Sequence, residues 1–338
     1  MIDFNNINKC LIIAEAGVNH NGSIKIAKEL CLEAKNSGAD VIKFQTWITD
    51  KIITRTVKQA SYQIKNTGRN ISQYEMLKEL ELTFDEFREI KQYCDNIGIK
   101  FCSTADEAES LDFLIDIGVP FIKVGSGDIC NVPFLRYIGG KGLPVIISTG
   151  MSSLSDVEMS IDALKYGGTK QIIVLHCTTS YPCPFMDVNL KAMDTLKNAF
   201  KYDVGYSDHT VGIEAAVAAV ARGAKVIEKH FTLNRNLEGP DHNASTEPLE
   251  FKKMVEAIRN VEISLGTGNK TPTSGEKEIS KVVMKRIIAN RKIKKGKIIE
   301  EEDLCVKRSD NGIPVKYWDM VVGMISPRNF YKDDGIEI

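Results

Sequence analysis

The chain has 338 residues, 44 basic and 45 acidic side chains, and a hydrophobic share of 43%. That length holds one large domain plus a small one, or two of middling size. The near-zero balance offers no broad field for nucleic acid or an anionic membrane, so any anion site must be local. No run reaches the roughly 18 consecutive apolar residues of a membrane span. Residues 1–10 lack the basic start and long apolar core of an export signal. The eight cysteines are scattered without a C-x-x-C pair, as expected of reduced thiols. A cytoplasmic protein is expected, acting on a small molecule, with no nucleic-acid and no membrane partner.

In chain order, short β-rich apolar runs fall at 11–15, 41–45, 100–103, 121–124, 145–148, 172–176, 204–206 and 226–228. Between them lie amphipathic stretches, among them 23–37, 83–96, 105–117, 153–166 and 212–222. Several are closed by a glycine: Gly38, Gly98, Gly118, Gly167 and Gly223. Eight βα repeats, with no G-x-G-x-x-G after the first strand, favour a closed (β/α)₈ TIM barrel over an open doubly wound sheet. A last helix begins at Pro248 and stops at Gly266. From 267 to 281 the chain lacks apolar periodicity and reads as a linker. The expected division is therefore a barrel over 1–268, a linker over 269–282 and a small β-rich domain over 283–338. In the latter, β-like pieces are expected at 282–284, 287–289 and 321–324.

In a (β/α)₈ barrel the site is assembled at the C-terminal ends of the strands. There the sequence places Glu15, Lys43 and Gln45, Ser103-Thr104, Lys123 and Ser126, Ser148-Thr149, His176 with Thr178 and Thr179, Ser207 and His209, and Glu228 and His230. A single strand-end charge is as often merely solvated. Polar groups at all eight ends are harder to dismiss. Two lysines beside apolar strand cores imply a phosphate or carboxylate ligand, and Ser126, Ser148 and Ser207 add neutral donors.

His209 and His230 sit at neighbouring rim positions, and two imidazoles suit a divalent metal in Lewis-acid work better than a closed structural zinc. His176 and His20 are weaker candidates. After the last strand Gly239-Pro240-Asp241-His242 fixes a turn, with Asp241 either addressing a sugar hydroxyl or capping a loop.

These stretches resemble the N-acetylneuraminate (sialic acid) synthase family. The resemblance rests on Ile12-Ile13-Ala14-Glu15-Ala16-Gly17-Val18-Asn19-His20-Asn21-Gly22, Val41-Ile42-Lys43-Phe44-Gln45-Thr46 and Lys123-Val124-Gly125-Ser126-Gly127-Asp128. It continues through Ser148-Thr149-Gly150-Met151, His176-Cys177-Thr178-Thr179-Ser180-Tyr181-Pro182, Gly205-Tyr206-Ser207-Asp208-His209-Thr210 and Glu228-Lys229-His230-Phe231. Beyond the linker, Ile293-Lys294-Lys295-Gly296 and Val306-Lys307-Arg308 resemble the family's SAF (antifreeze-like) domain.

The resemblance implies a nonulosonic acid synthase condensing phosphoenolpyruvate with an N-acetylated hexose and water. It implies a divalent cation on His209 and His230, Mn²⁺ first and Mg²⁺ or Co²⁺ as alternatives. Glu15 becomes the acid/base candidate. Lys43, Lys123, Thr104, Ser126, Ser148 and Ser207 would hold the phosphate and carboxylate, while Gln45, Thr179, Tyr181, Glu228 and Asp241 would address the metal or sugar. A domain-swapped homodimer is also implied, with Arg308 reaching the N-acetyl group across the interface.

The chain departs from the family pattern at Ala105-Asp106, where many relatives have Pro-Phe, at Asp128, a common Glu, and at Thr179, an Asn in some sialic acid synthases. N-acetylmannosamine is the first expectation for the sugar and 2,4-diacetamido-2,4,6-trideoxymannose the second. The motif Tyr62-Gln63-Ile64-Lys65-Asn66-Thr67 fits both. Rival readings are a Schiff-base aldolase using Lys43 or Lys123, which leaves the histidine pair without a task, and a non-catalytic carbohydrate- or ice-binding protein, which leaves the polar rim unexplained.

Overall fold

The computed structural model describes residues 2–60, 63–64, 66 and 68–337. Tyr62, Lys65 and Thr67 of the motif above lie outside them. Eight parallel strands close into a barrel in sequence order. They are β1 (Leu11–Gly17), β2 (Val41–Thr46), β3 (Lys100–Ala105), β4 (Ile122–Val124), β5 (Val145–Ser148), β6 (Ile172–Cys177), β7 (Asp203–Asp208) and β8 (Val226–His230). The ring closes where Leu11 to Glu15 pair with Val226 to His230. Strands β7 and β8 run further than the apolar runs suggest, so Ser207 and His230 are strand residues.

The outer helices follow from capping and one-sided apolar spacing. The helix at Phe84–Ile97 starts on a Thr83/Glu86 capping box, buries Phe87, Ile90 and Cys94 at helical spacing, and stops at Gly98 with φ +74°. The long helix at Pro248–Leu265 takes proline in its first turn and buries Phe251, Met254, Val255 and Ile258. Helices at Val132–Gly139 and Lys191–Phe200 add to the ring where the sequence gives no clear helical stretch. Strand β2 is followed by α1 (Thr49–Ile52) and α2 (Gln73–Leu80), a helical excursion at the strand's C-terminal end.

Inside the barrel a layer of fully buried apolar side chains contains Ile13, Val41, Cys102, Phe121, Ile146, Leu175 and Val226. Side chains two residues apart point to the same face of a strand. The next inward positions are therefore Glu15, Lys43, Thr104, Lys123, Ser148, Cys177 and Glu228. The barrel changes from hydrocarbon to ionic within one layer, at its C-terminal end.

The chain divides into two compact units, residues 1–266 and 267–338. The stretch read as linker contains a helix, Ser274–Val283, started by a Thr273/Glu276 capping box and burying none of its side chains. Its apolar residues are too sparse to signal a helix in the sequence. Residues 282–284 end this helix, and 321–324 leave a short helix at Trp318–Val321, so neither is a strand. The strand that pairs antiparallel with Lys285–Ala289 is Leu304–Arg308. This second unit has its own core of Ile287, Ala289, Ile293, Ile299, Leu304, Val321, Phe330 and Ile336. Buried Asp303 accepts from Arg291 Nε at 2.6 Å and from Lys297 Nζ at 2.7 Å. Among the described residues no helix is long and apolar enough to cross a membrane.

Candidate active site

The floor of the site is a ring of four buried charges. Lys43 Nζ lies 2.6 Å from Glu15 Oε2 and 3.8 Å from Glu228 Oε2, and donates to Thr104 Oγ1 at 2.9 Å. Lys123 Nζ lies 3.4 Å from Glu228 Oε1 and donates to Ser148 Oγ at 2.8 Å. Ser207 Oγ donates to Glu228 Oε1 at 3.2 Å, and Gln45 Nε2 to Glu15 Oε1 at 3.1 Å. Strand register sets Glu15 level with Lys43 and Ser207 level with Glu228, while Glu228 meets the two lysines across the barrel.

The two carboxylates differ electrically. Burial pushes Glu15 up to about 7, against the pull of Lys43 and with the help of Glu228. Glu228 is also buried, but lies between Lys123 and Lys43 and is held at about 2. Burial disfavours the Lys43 ammonium, yet Glu15 and Glu228 outweigh it and its pKa is raised. Near neutral pH Glu228 is a fixed anion and Glu15 can take or give a proton. With Glu15 protonated, two ammonium groups face one carboxylate, a net positive floor suited to an anion.

Above the floor is a cavity of about 210 Å³ lined by Glu15, Lys43, Thr104, Lys123, Ser126, Ser148, Thr179, Ser207 and Glu228, with His209 and His230. A wider cavity of about 660 Å³ contains Asp128, Asn131, Tyr181, Asp241 and a set of apolar side chains. The two share Gln45, Asp106, Gly125, Gly127, Tyr181 and His230, which form the neck between them. Gly17, at φ +51°, lies where three functional side chains converge: a Cβ there would sit 3.3 Å from Gln45 Nε2, 3.4 Å from Glu15 Oε1 and 3.8 Å from Asp241 Oδ2. Burial raises the Asp241 carboxyl to about 6.

The rings of His209 and His230 are 5.5 Å apart, with Tyr181 4.2 Å from the first and 5.5 Å from the second. The Nδ1 of His209 lies 2.7 Å from Thr178 O; donating there leaves Nε2 with its lone pair. Burial pushes His230 down to about 3, so its imidazole is neutral. Its Nδ1 is buried without a hydrogen-bond partner among the described residues. Two imidazoles, one with an orphaned nitrogen, fit a divalent cation that completes its shell with water or substrate oxygen. Among the described residues no group of three or more His, Cys, Asp or Glu could hold a metal alone.

Of the residues given a role at the site, all but Arg308 line one or both cavities, whereas the strand-end residues Ser103, Thr149, His176 and Thr178 line neither. Arg308 ends the exposed half of its strand in the second unit. His176 Nε2 lies 2.6 Å from Val188 O, and buried His20 accepts from Gly22 N–H at 3.1 Å through Nδ1; neither lines these two cavities. Asp106, which the sequence marks only as a departure, belongs to the neck, where burial and the Asp128 charge push it up to about 7. Asp128 accepts from Asn131 Nδ2 at 2.9 Å. The apolar lining from α1 and α2 is not visible in the sequence, because Met76 and Leu80 at i, i+4 look like any helix face packed on a core.

The NeuB family model matches residues 30–270 and the SAF domain model residues 287–337. The chain belongs to the NeuB family. It is similar to the N,N'-diacetyllegionaminic acid synthase of Legionella pneumophila, at 47% identity over 93% of this chain and 89% of that protein. A protein of the same name from Campylobacter jejuni is 44% identical over 96% of this chain and 98% of its own length. Among solved structures, the N-acetylneuraminic acid synthetase of Leptospira borgpetersenii, in complex with citrate, aligns with a TM-score of 0.72 at 35% identity, covering 82% of this chain and 94% of that one. The chain is thus an enzyme of the nonulosonic acid synthase type, a transferase with a (β/α)₈ barrel and a SAF domain.

Proposed function

We propose that this enzyme condenses phosphoenolpyruvate with an N-acetylated hexose and water to give a nonulosonic acid and phosphate. The observation that carries this reading is the Glu15–Lys43–Glu228–Lys123 floor, positive when Glu15 is protonated and ringed by the hydroxyls of Thr104, Ser126, Ser148 and Ser207. It suits an acid bearing phosphate and carboxylate, placed beneath a neck that opens on a cavity large enough for a sugar.

The methylene carbon of phosphoenolpyruvate attacks the aldehyde carbon of the open-chain sugar at the neck. Glu15, protonated near neutrality, delivers its proton to the aldehyde oxygen. Water adds to the resulting cation and one of its protons returns to Glu15; the C–O bond to phosphate then breaks as the remaining hydroxyl proton passes to the departing phosphate, leaving the keto group. Lys43 and Lys123 hold the anion, and Glu228 fixes both lysines beneath it. His209 and His230 are the residues that would hold a divalent cation, Mn²⁺ first, and such an ion supplies Lewis acidity toward the sugar carbonyl. Phosphoenolpyruvate carrying ¹⁸O at the bridging position tests the sequence of bonds: the label goes to phosphate in this reading and stays in the organic product if the P–O bond breaks.

For the sugar, 2,4-diacetamido-2,4,6-trideoxymannose takes precedence over N-acetylmannosamine, reversing the order read from the motifs. Two diacetyllegionaminic acid synthases are 47% and 44% identical to this chain, against 35% for the N-acetylneuraminic acid synthetase. A homodimer belongs to the same reading. Ile279, Val282 and Val283 leave an apolar face exposed on the helix at Ser274–Val283, and the exposed Arg308 has no ion-pair partner among the described residues. Arg308 of a partner copy would then meet the N-acetyl group.

A further inference from the structure

A third cavity, of about 790 Å³, lies beside the anion cavity, where the chain leaves β5 and β6. Its inner edge is Met151, Cys177 and Thr179, which the two cavities share. Gly150 stands in the partition. Its N–H donates to Ser126 Oγ at 3.0 Å, and a Cβ on it would collide with both Ser126 Oγ and Thr179 Oγ1. Only a residue without a side chain fits between the Ser126 hydroxyl of the anion cavity and the Thr179 hydroxyl at the mouth of the third. The helix at Lys191–Phe200 supplies the far wall and presents Lys191 and Thr195 there, at i, i+4 on one face. Both side chains are exposed, and Lys191 has no ion-pair partner among the described residues. No aspartate or glutamate is among the described residues that line this cavity.

The wider cavity is its electrostatic opposite. It carries Asp106, Asp128 and Asp241, and the one lysine among its described lining residues, Lys51, is taken by Glu109. In the condensation proposed above, phosphate is set free at the floor while the nonulosonic acid still fills the neck. Leaving upward, the phosphate anion would wait for that product and then pass three carboxyl groups. Leaving sideways, it meets hydroxyls and an ammonium. We propose that the third cavity is an exit site for inorganic phosphate, entered between Met151 and Thr179 and made attractive to the anion by Lys191. The inference rests on that condensation and adds to it the route by which phosphate leaves.

The test follows one turnover of the full-length, Mn²⁺-loaded enzyme with phosphoenolpyruvate and whichever of the two candidate sugars it uses. Phosphate formed is read by rapid quench, and phosphate released by a fluorescent phosphate-binding sensor. Lys191→Glu should slow release about tenfold relative to formation, the worth of one charge-assisted contact. Formation, kcat/KM for phosphoenolpyruvate and the melting temperature should stay at wild type. Lys191→Arg should release phosphate as the wild type does, and Thr195→Trp, which fills the same cavity, should reproduce the lag independently. Release that keeps pace with formation in both folded variants overturns the exit and leaves the condensation standing. Formation slowed as much as release also overturns it, because Lys191 would then act on the chemistry. No phosphate from either sugar overturns the condensation and the exit together. If Thr195→Trp does not fold, the comparison of Lys191→Glu with Lys191→Arg decides alone.

Discussion

Lys43 Nζ lies 2.6 Å from Glu15 Oε2, the two side chains no more than 3% exposed, on neighbouring strands at the same level. Removing one partner of such a pair leaves a buried charge uncompensated. Lys43→Met should lower the unfolding free energy by about 3 kcal/mol, the low end for a broken buried pair because Glu15 can escape by taking up a proton. Chemical denaturation at neutral pH reads this directly. Activity should be lost in the same variant, through loss of the anion floor.

In the proposed reaction Glu15 carries the pH dependence. Its folded pKa, about 7, is raised above that of a free carboxyl. The stabilising effect of its proton is therefore fully present below the unfolded value near 4.5 and is lost as pH rises through about 7. Catalysis that uses the protonated form should fade through the same interval, so kcat/KM should fall above about pH 7. Glu15→Gln should remove this limb and lower the rate by about 10²–10⁴-fold. Glu228, held at about 2, contributes a limb only in strong acid.

His230→Ala should abolish metal-dependent turnover while the far-ultraviolet circular dichroism and melting temperature stay near wild type. Titration with Mn²⁺, followed by calorimetry or by the spin-resonance signal of the free ion, should show weaker binding in the variant. Unchanged Mn²⁺ affinity would remove His230 from the metal site whatever happened to the rate.

Arg308 tests the proposed dimer. Arg308→Ala should raise KM for the sugar about tenfold, the worth of one lost charged hydrogen bond, without changing KM for phosphoenolpyruvate. Co-expressing Lys123→Ala with Arg308→Ala chains should restore the wild-type KM for the sugar in mixed dimers if Arg308 serves the other copy's barrel. No restoration would place Arg308 in its own chain's site or in none.

Much of this architecture is legible in the amino-acid sequence. Eight apolar runs at βα spacing specify the barrel, because a strand covered by helices is buried on both faces. The polar residues at the end of each run mark the floor, because side-chain direction repeats every second residue. Periodicity speaks only for a residue's own element, however. It does not show that Glu228 sits between two ammonium groups while Glu15 does not, which is a matter of which side chains cross the barrel. Nor does it mark Met76 and Leu77 as cavity lining, because a helix face turned to a site and one turned to a core share one spacing. The helix at Ser274–Val283 escapes for another reason: its apolar residues Ile279, Val282 and Val283 crowd into its C-terminal half, too short a run to signal a helix.

Phosphate release from phosphoenolpyruvate, followed with and without an N-acetylated hexose and with and without EDTA, tests the central claim most directly. The account predicts release that requires the sugar, is suppressed by EDTA and restored by Mn²⁺, and matches the nonulosonic acid formed mole for mole. Release without sugar, or none with either candidate sugar while the protein is folded and loaded with Mn²⁺, would contradict it.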